Sequence, residues 1–329
     1  MKILNFGSLN IDHVYQVPHF VRAGETLGAI SLARHAGGKG LNQSVALARA
    51  GARVAHAGCM GADGDFLLEL LRENGVDVSG VRRIGEPTGH AVIQVEDGGQ
   101  NSILLYGGAN RCVDADWIDR VLSSCDKGDL LLAQNEISHL AYLLEAAHRR
   151  GMIVALNPSP IDDSLKEAPL AKVDWFLLNR LEAEALAGMG TVPQAERGGS
   201  GETGEAAVEE AEKAQTAEGV AETEKAEAEA EEKRLAARLC ARYPQASFVM
   251  TLGERGAVCF GRAGECRTPA VRVRAVDTTG AGDTFTGYFL AAWSAGEPLV
   301  RCMERASRAA ALAVTRPGAA ESIPYAREI

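Results

Sequence analysis

Four short apolar runs, Leu130-Leu131-Leu132-Ala133, Ile153-Val154-Ala155-Leu156, Trp175-Phe176-Leu177-Leu178 and Phe248-Val249-Met250-Thr251, are separated by stretches of helical pattern. A strand that is apolar on both faces must be covered on both, so the alternation specifies an α/β body: a mainly parallel sheet with helices on its faces. Ile3 to Phe6 is a further short apolar strand. Polar residues collect where the runs stop, at Gln134-Asn135-Glu136, Asn157-Pro158-Ser159-Pro160, Asn179 to Glu184, and Thr251-Leu252-Gly253-Glu254-Arg255-Gly256. Open α/β sheets take ligands at that edge.

A second, smaller pattern interrupts the first. His13 to Ala36 mixes short alternating stretches with Pro18 and Gly24-Glu25-Thr26, and Thr88 to Tyr106 reads as a hairpin whose strands flank Asp97-Gly98-Gly99-Gln100-Asn101. Together these predict a small exposed sheet. Asn10 and Asp12 stand two apart at the end of the first strand and share one face of an extended segment, where they can grip sugar hydroxyls or close the strand with an Asx-type turn.

Two glycine-rich turns open helices. The later one, Val276-Asp277-Thr278-Thr279-Gly280-Ala281-Gly282-Asp283-Thr284-Phe285, precedes Phe289 and Ala292 at helical spacing. The N–H groups of Gly280, Ala281 and Gly282 then point out of a helix N-terminus, a place that attracts phosphate oxygens, and Asp283 on the first turn can take a proton from a neighbouring hydroxyl. That pairing points to phosphoryl transfer to an alcohol; the competing reading is a tight turn with a solvated first-turn carboxylate. The earlier turn is His35-Ala36-Gly37-Gly38-Lys39-Gly40-Leu41-Asn42-Gln43. Ala33 replaces the first glycine of a Walker A loop and Gly40 its Ser or Thr, so a nucleotide P-loop is excluded. Its bare backbone suits a small substrate contacted by Lys39 and Asn42, or a simple helix cap.

The 329 residues, 46% hydrophobic and 24% charged, suit a globular chain of one large domain or two. Of the net charge of -10, residues 194–234 supply most, with thirteen Glu against five Lys or Arg and no Asp. The nearly neutral remainder offers no broad basic face for nucleic acid. The acidic stretch, about 191–234, reads as a solvated insertion, either a charged exposed helix or disorder. Seven scattered cysteines without a Cys-x-x-Cys pair read as reduced thiols. The apolar run at the N-terminus is too short for a signal peptide and no membrane-length apolar run occurs, so the expected location is the cytoplasm.

Gly37-Gly38-Lys39-Gly40-Leu41-Asn42-Gln43 and Asp277-Thr278-Thr279-Gly280-Ala281-Gly282-Asp283-Thr284-Phe285, in that order, resemble the two signatures of the ribokinase branch of the carbohydrate kinase family, which also contains fructokinases and adenosine kinase. The resemblance covers nearly the whole chain outside the acidic stretch. It implies a single domain over 1–329 with a Rossmann-like α/β body, and a β-sheet lid from about 12–36 and 88–108 that covers the sugar and often forms a homodimer interface. It also implies an ATP-dependent kinase using Mg2+ and activated by K+. Position by position, it implies Asp283 as catalytic base and Gly280, Ala281 and Gly282 as anion hole. Asn10, Asp12, Gly38, Lys39, Gly40, Asn42 and Glu136 would contact the sugar. Asn179 and Glu182 would organise magnesium and phosphate, Thr251, Leu252, Gly253, Glu254, Arg255 and Gly256 would form the nucleotide loop with Gly282, and Ser307 would lie near the adenine. Asp277, Thr279, Ala313, Arg316, Gly318 and Ser322 would form the potassium site, largely through carbonyls.

A sugar phosphate would need more cationic contacts than Lys39 supplies, and Asn42-Gln43 with Asn10-x-Asp12 favours a free pentose. Ribose comes first, with deoxyribose, another furanose or a nucleoside-like sugar as alternatives. A non-catalytic sugar sensor conflicts with the intact Asp283 and Gly280-Ala281-Gly282, and a dinucleotide-dependent oxidoreductase conflicts with the lack of G-x-G-x-x-G after the first strand.

Overall fold

The computed structural model describes residues 1–98, 100–188 and 212–329. The apolar runs become the middle of a nine-stranded sheet. Strand β1 (Ile3–Phe6) lies between β4 (Val54–Met60) and β8 (Leu130–Gln134), parallel to both. Beyond β4 comes β5 (Asp77–Arg83), again parallel. Beyond β8 the parallel array continues through β9 (Ile153–Asn157), β10 (Trp175–Asn179) and β11 (Ser247–Thr251), and antiparallel β12 (Ala257–Gly261) and β13 (Cys266–Thr268) finish the edge.

Successive strand residues feed opposite cores. Leu131 and Ala133 of β8 face the cluster that includes α3 (Ala115–Leu122), α4 (Leu140–Arg149), α5 (Arg180–Gly188) and the end of α6 (Glu212–Arg242). Leu130 and Leu132 face the cluster built on α1 (Lys39–Arg49), α2 (Asp65–Glu73), α7 (Ala281–Ser294) and α8 (Leu299–Ala313). Burial on both faces explains why these strands read as continuous apolar runs.

The smaller sheet has the order β3 (Ser31–Gly37), β2 (Asn10–Val17), β6 (Gly89–Glu96), β7 (Asn101–Tyr106). β2 and β6 run parallel, and each carries an antiparallel outer partner. The expected hairpin is β6–β7; Gly99 of its turn lies outside the described residues. Only Gly7, Ser8 and Leu9 separate β1 from β2, so the small sheet grows out of the central strand of the large one. From β3 the chain turns through Gly38, at φ 90°, into α1. A Cβ on Gly40 would stand 2.3 Å from Ser8 N, so only glycine lets α1 begin against the end of β1, where Leu41 N donates to Ser8 O at 2.9 Å.

Among the described residues no helix is long and apolar enough to cross a membrane. Residues 189–211 of the acidic stretch lie outside the described residues. Its last part corrects the solvated reading. Glu232, inside the expected insertion, is only 5% exposed and pairs with Arg255 and Arg267. It falls on the same stripe of α6 as the buried Leu235 and Leu239, so helical geometry carries it inward while composition marks it as surface. Replacing Glu232 with Ala leaves two guanidinium groups facing each other without their anion. The expected loss is about 1–3 kcal/mol in a urea titration, against less than about 0.5 kcal/mol for Glu227→Ala on the exposed part of the same helix. Equal, negligible effects would restore the solvated reading.

Candidate functional site

The C-terminal ends of the parallel strands stand level, with Gln134 opposite Asn157 and Asn179 opposite Thr251. Over this edge lies a cavity of about 240 Å3 lined by Lys39, Asn179, Glu182, Thr251, Gly280, Gly282 and Asp283, together with several apolar residues. Residues expected at the phosphate end are thus brought together. Asn157, Thr278 and Thr286 also line it; the cluster of polar residues at strand ends had signalled Asn157, whereas Thr278 and Thr286 sit beside Asp283 only once the turn and helix have formed.

Helix α7 starts as its sequence predicts. Gly280 is its N-cap at φ 73°, and a Cβ there would come within 3.2 Å of Ala319 Cα. A Cβ on Gly282 would meet nothing within 4 Å, so no packing demands glycine there; its smallness keeps the cavity open beside the helix N-terminus. Of the three amides expected in the anion hole, that of Ala281 donates to Thr278 O at 3.3 Å.

Asp283 is 6% exposed and is held from across the cleft. Asn42 Nδ2 donates to its Oδ2 at 3.0 Å and Gln43 Nε2 to its Oδ1 at 2.8 Å. Asn42 Oδ1 is buried without a hydrogen-bond partner among the described residues, a deficit that a hydroxyl donor would remove. Gln43, read with Asn42 as favouring a free pentose, is fully buried, with its amide directed at Asp283, Asn157 and Gln134.

On the other side of α1, one oxygen of Glu136 accepts from the Ser8 hydroxyl and from Lys39 N, the latter at 3.0 Å. Glu136 therefore braces the helix start, and burial raises its carboxyl above the usual range although Ser8 and Lys39 oppose the rise. Asp12 packs over Gly37, where a Cβ would fall 2.2 Å from Oδ2. Burial, and then the charge of Glu136, raise Asp12 to about 6. Asn10 is oriented by Asn110, whose Nδ2 donates to Asn10 Oδ1 at 2.7 Å; the sequence had not marked Asn110. The Lys39 side chain lines the cavity. Burial pulls its pKa down, but Asp283, Glu136 and Glu182 together hold it above the ordinary lysine value.

Asn179 and Glu182 form a reciprocal capping box on α5: Glu182 N donates to Asn179 Oδ1 and Asn179 N to Glu182 Oε2, both at 2.9 Å. Half of that motif is thereby explained by the helix start, while both residues still line the cavity. Of the expected nucleotide loop, Thr251 reaches the cavity; Leu252 to Gly256 lead away from it, with Arg255 on Glu232, and Ser307 is buried on α8 outside the lining. The expected potassium segments do meet. Val276 N and Asp277 N donate to Val314 O at 2.7 and 3.2 Å, and the Asp277 carboxylate accepts from Thr279 N and Gly318 N at 2.9 Å. Arg316 turns outward to Glu328, and Ser322 Oγ donates to Ala319 O at 2.9 Å. Among the described residues no group of three or more His, Cys, Asp or Glu is placed to hold a metal.

Comparison with known proteins agrees with this geometry. The family model described as pfkB family carbohydrate kinase matches residues 1–326. Ribokinase from Haemophilus influenzae is 32% identical over 328 residues, covering 98% of this chain and 95% of that protein. Deoxyribokinase from Salmonella typhi is 30% identical over 329 residues, covering 98% of this chain and 96% of that one. The structure of ribokinase from Arabidopsis thaliana complexed with ribose and ATP superposes with a TM-score of 0.77 at 26% identity, covering 99% and 96% of the two chains. The chain therefore belongs to the pfkB family of carbohydrate kinases and is itself a carbohydrate kinase.

Proposed function

We propose that the enzyme transfers the γ-phosphoryl group of ATP to a hydroxyl of a free sugar, D-ribose giving D-ribose 5-phosphate, with Asp283 as general base. The observation that carries this is the placement of the Asp283 carboxylate, held by Asn42 and Gln43 at the junction between α1 and the N-terminus of α7. Asp283 takes the proton as the sugar oxygen attacks phosphorus, the bond from phosphorus to the ADP oxygen breaks, and the Gly280 and Gly282 amides with the Lys39 ammonium receive the charge of the transferring group. The similarity to ribokinases, one of them solved with ribose and ATP, supports ribose and ATP. The similarity to a deoxyribokinase supports deoxyribose as the second reading. A free sugar suits the surroundings of Asp12, where the neighbouring carboxyls of Glu136 and Glu321 outnumber the one imidazole of His35 and offer a second phosphate no lysine or arginine.

The cavity lining offers oxygen donors of the kind a hard divalent cation takes, from Asp283, Glu182, Asn179 and Thr251. Glu182 and Asn179 would organise Mg2+ there, and the ion would neutralise phosphate charge. The joined segments at Asp277 and Val314 offer a carboxylate and carbonyl oxygens for K+, which would order the turn before Gly280. The small sheet serves as a lid and as the interface of a homodimer. Leu32, Ile103, Leu104 and Leu105 on it are 54%, 53%, 71% and 58% exposed, and a monomer in equilibrium sedimentation would remove that reading.

A coupled assay with ATP and a sugar panel should give the highest kcat/KM with ribose; preference for deoxyribose selects the second reading. In the same assay Asp283→Asn should lower kcat by about 10² to 10⁴ while ATP still binds, and a wild-type kcat would remove Asp283 as base. Asp12, raised to about 6, grips hydroxyls best when ionised, so the KM for sugar should climb as pH falls through about 6. Asp12→Asn should raise KM at neutral pH and flatten that dependence. Potassium should support faster turnover than sodium at matched ionic strength; equal rates would count against the cation site.

A further inference from the structure

Resting on the reading of Asp283 as the base, we propose that Gln43 is a positioning residue for Asp283, and that its amide is locked by a buried relay running through Gln134, Asn5 and Ser44 to His56. All six side chains of this chain of contacts are 6% exposed or less, and five are fully buried. Gln43 Nε2 has two hydrogens and directs one to Asp283 Oδ1 at 2.8 Å and one to Asn157 Oδ1 at 3.2 Å. Its oxygen must then face a donor, and it accepts from Gln134 Nε2 at 2.6 Å. The second hydrogen of Gln134 goes to Asn5 Oδ1 at 2.9 Å, which turns Asn5 Nδ2 toward Gly40 O at 2.7 Å and Ser44 Oγ at 2.8 Å. In the tautomer that carries its hydrogen on Nε2, His56 accepts at Nδ1 a hydrogen bond from the Ser44 hydroxyl at 2.8 Å.

Each amide is thereby fixed by the next. Rotating Gln43 by half a turn would place its oxygen against the Asp283 carboxylate and its nitrogen against the nitrogen of Gln134, so two contacts would become repulsive at once. The relay keeps its sense even though Gln134 Oε1 and His56 Nε2 are buried without a hydrogen-bond partner among the described residues. His56 closes the chain as an acceptor only when neutral, and burial pushes it down to about 3. The charged groups around Asp283 in the cleft are Lys39 on α1, Glu136 after β8 and Glu182 on α5, and none belongs to the relay. A carboxylate held by one N–H donor on each oxygen is fixed in rotation, so disturbing Gln43 loosens the aim of Asp283 at the attacking hydroxyl.

The test is kcat and sugar KM at saturating ATP for Gln43→Met, which keeps length and volume and removes both polar ends. The expected result is a kcat about 10- to 100-fold lower with the sugar KM within threefold of wild type. Gln134→Met, which frees the Gln43 amide to rotate, should lower kcat in the same way by less. Gln43→Met added to Asp283→Asn should cost little more than Asp283→Asn alone. A folded Gln43→Met with wild-type kcat, or one whose loss adds in full to that of Asp283→Asn, overturns the proposal. If that variant does not fold, Gln134→Met decides by the same reading, a lowered kcat with unchanged KM supporting the proposal and a wild-type kcat overturning it. A wild-type kcat in Asp283→Asn instead removes the base itself, a separate failure from that of the relay.

Discussion

The contact between the first turn of α7 and the first turn of α1 joins residues 240 and 241 positions apart, Gln43 and Asn42 with Asp283. Everything else at the sheet edge is arranged around this long-range pair. It needs α1 to start hard against the end of β1, which Gly40 permits, and it needs α7 to pack along α1, where a Cβ on Gly287 would meet Ala46 Cβ at 2.4 Å. Two glycines thus set the distance between a carboxylate and the amides that hold it. Because the partners are 240 and 241 positions apart in a chain of 329, the contact is formed by long-range packing and contributes nothing to local structure before it.

The electrostatics of the cleft follow from the same packing. Asp283, Glu136 and Glu182 act on one ammonium, Lys39, and hold it above its ordinary value against burial, while burial first and neighbouring carboxylates after it raise Asp12 and Glu136. Such a concentration of negative charge is unfavourable to an empty fold and favourable to a cation-bearing ligand, so stability is yielded at the place where binding returns it. In the proposed reading the two ends of the cleft hold a guest by different means: carboxylates and amides near β2, backbone amides and small residues near α7.

Much of this was legible in the sequence because it depends on local pattern. Doubly apolar runs reported the parallel sheet, and the glycines before Asp283 and before Asn42 reported two helix entrances. Features that depend on what folds onto what were legible only in part. Asn179-x-x-Glu182 has the spacing of a ligand motif and equally that of a capping box, and only the paired hydrogen bonds reveal the second role. Glu232 sits in an acidic run whose composition argues for solvent, yet a residue three before Leu235 and seven before Leu239 on a helix shares their face, and both leucines are buried. Gln43 looks like one more polar residue beside Asn42, and nothing local tells which of two neighbours faces substrate and which faces protein.

Strands β10 and β11 are adjacent and parallel, with a five-residue register from Trp175 opposite Ser247 to Asn179 opposite Thr251. The chain between them is the crossover that holds α5, the acidic stretch and α6. Closing a longer loop costs only about 0.6 kcal/mol for each doubling of its length, so a crossover can accept many residues while the strands it joins stay in register. What limits such growth is the point where the returning helix must dock, here Glu232 and the leucines after it. A chain of this topology can therefore vary widely in length at one connection while the residues over the strand ends keep their places, which separates the history of its size from the history of its chemistry.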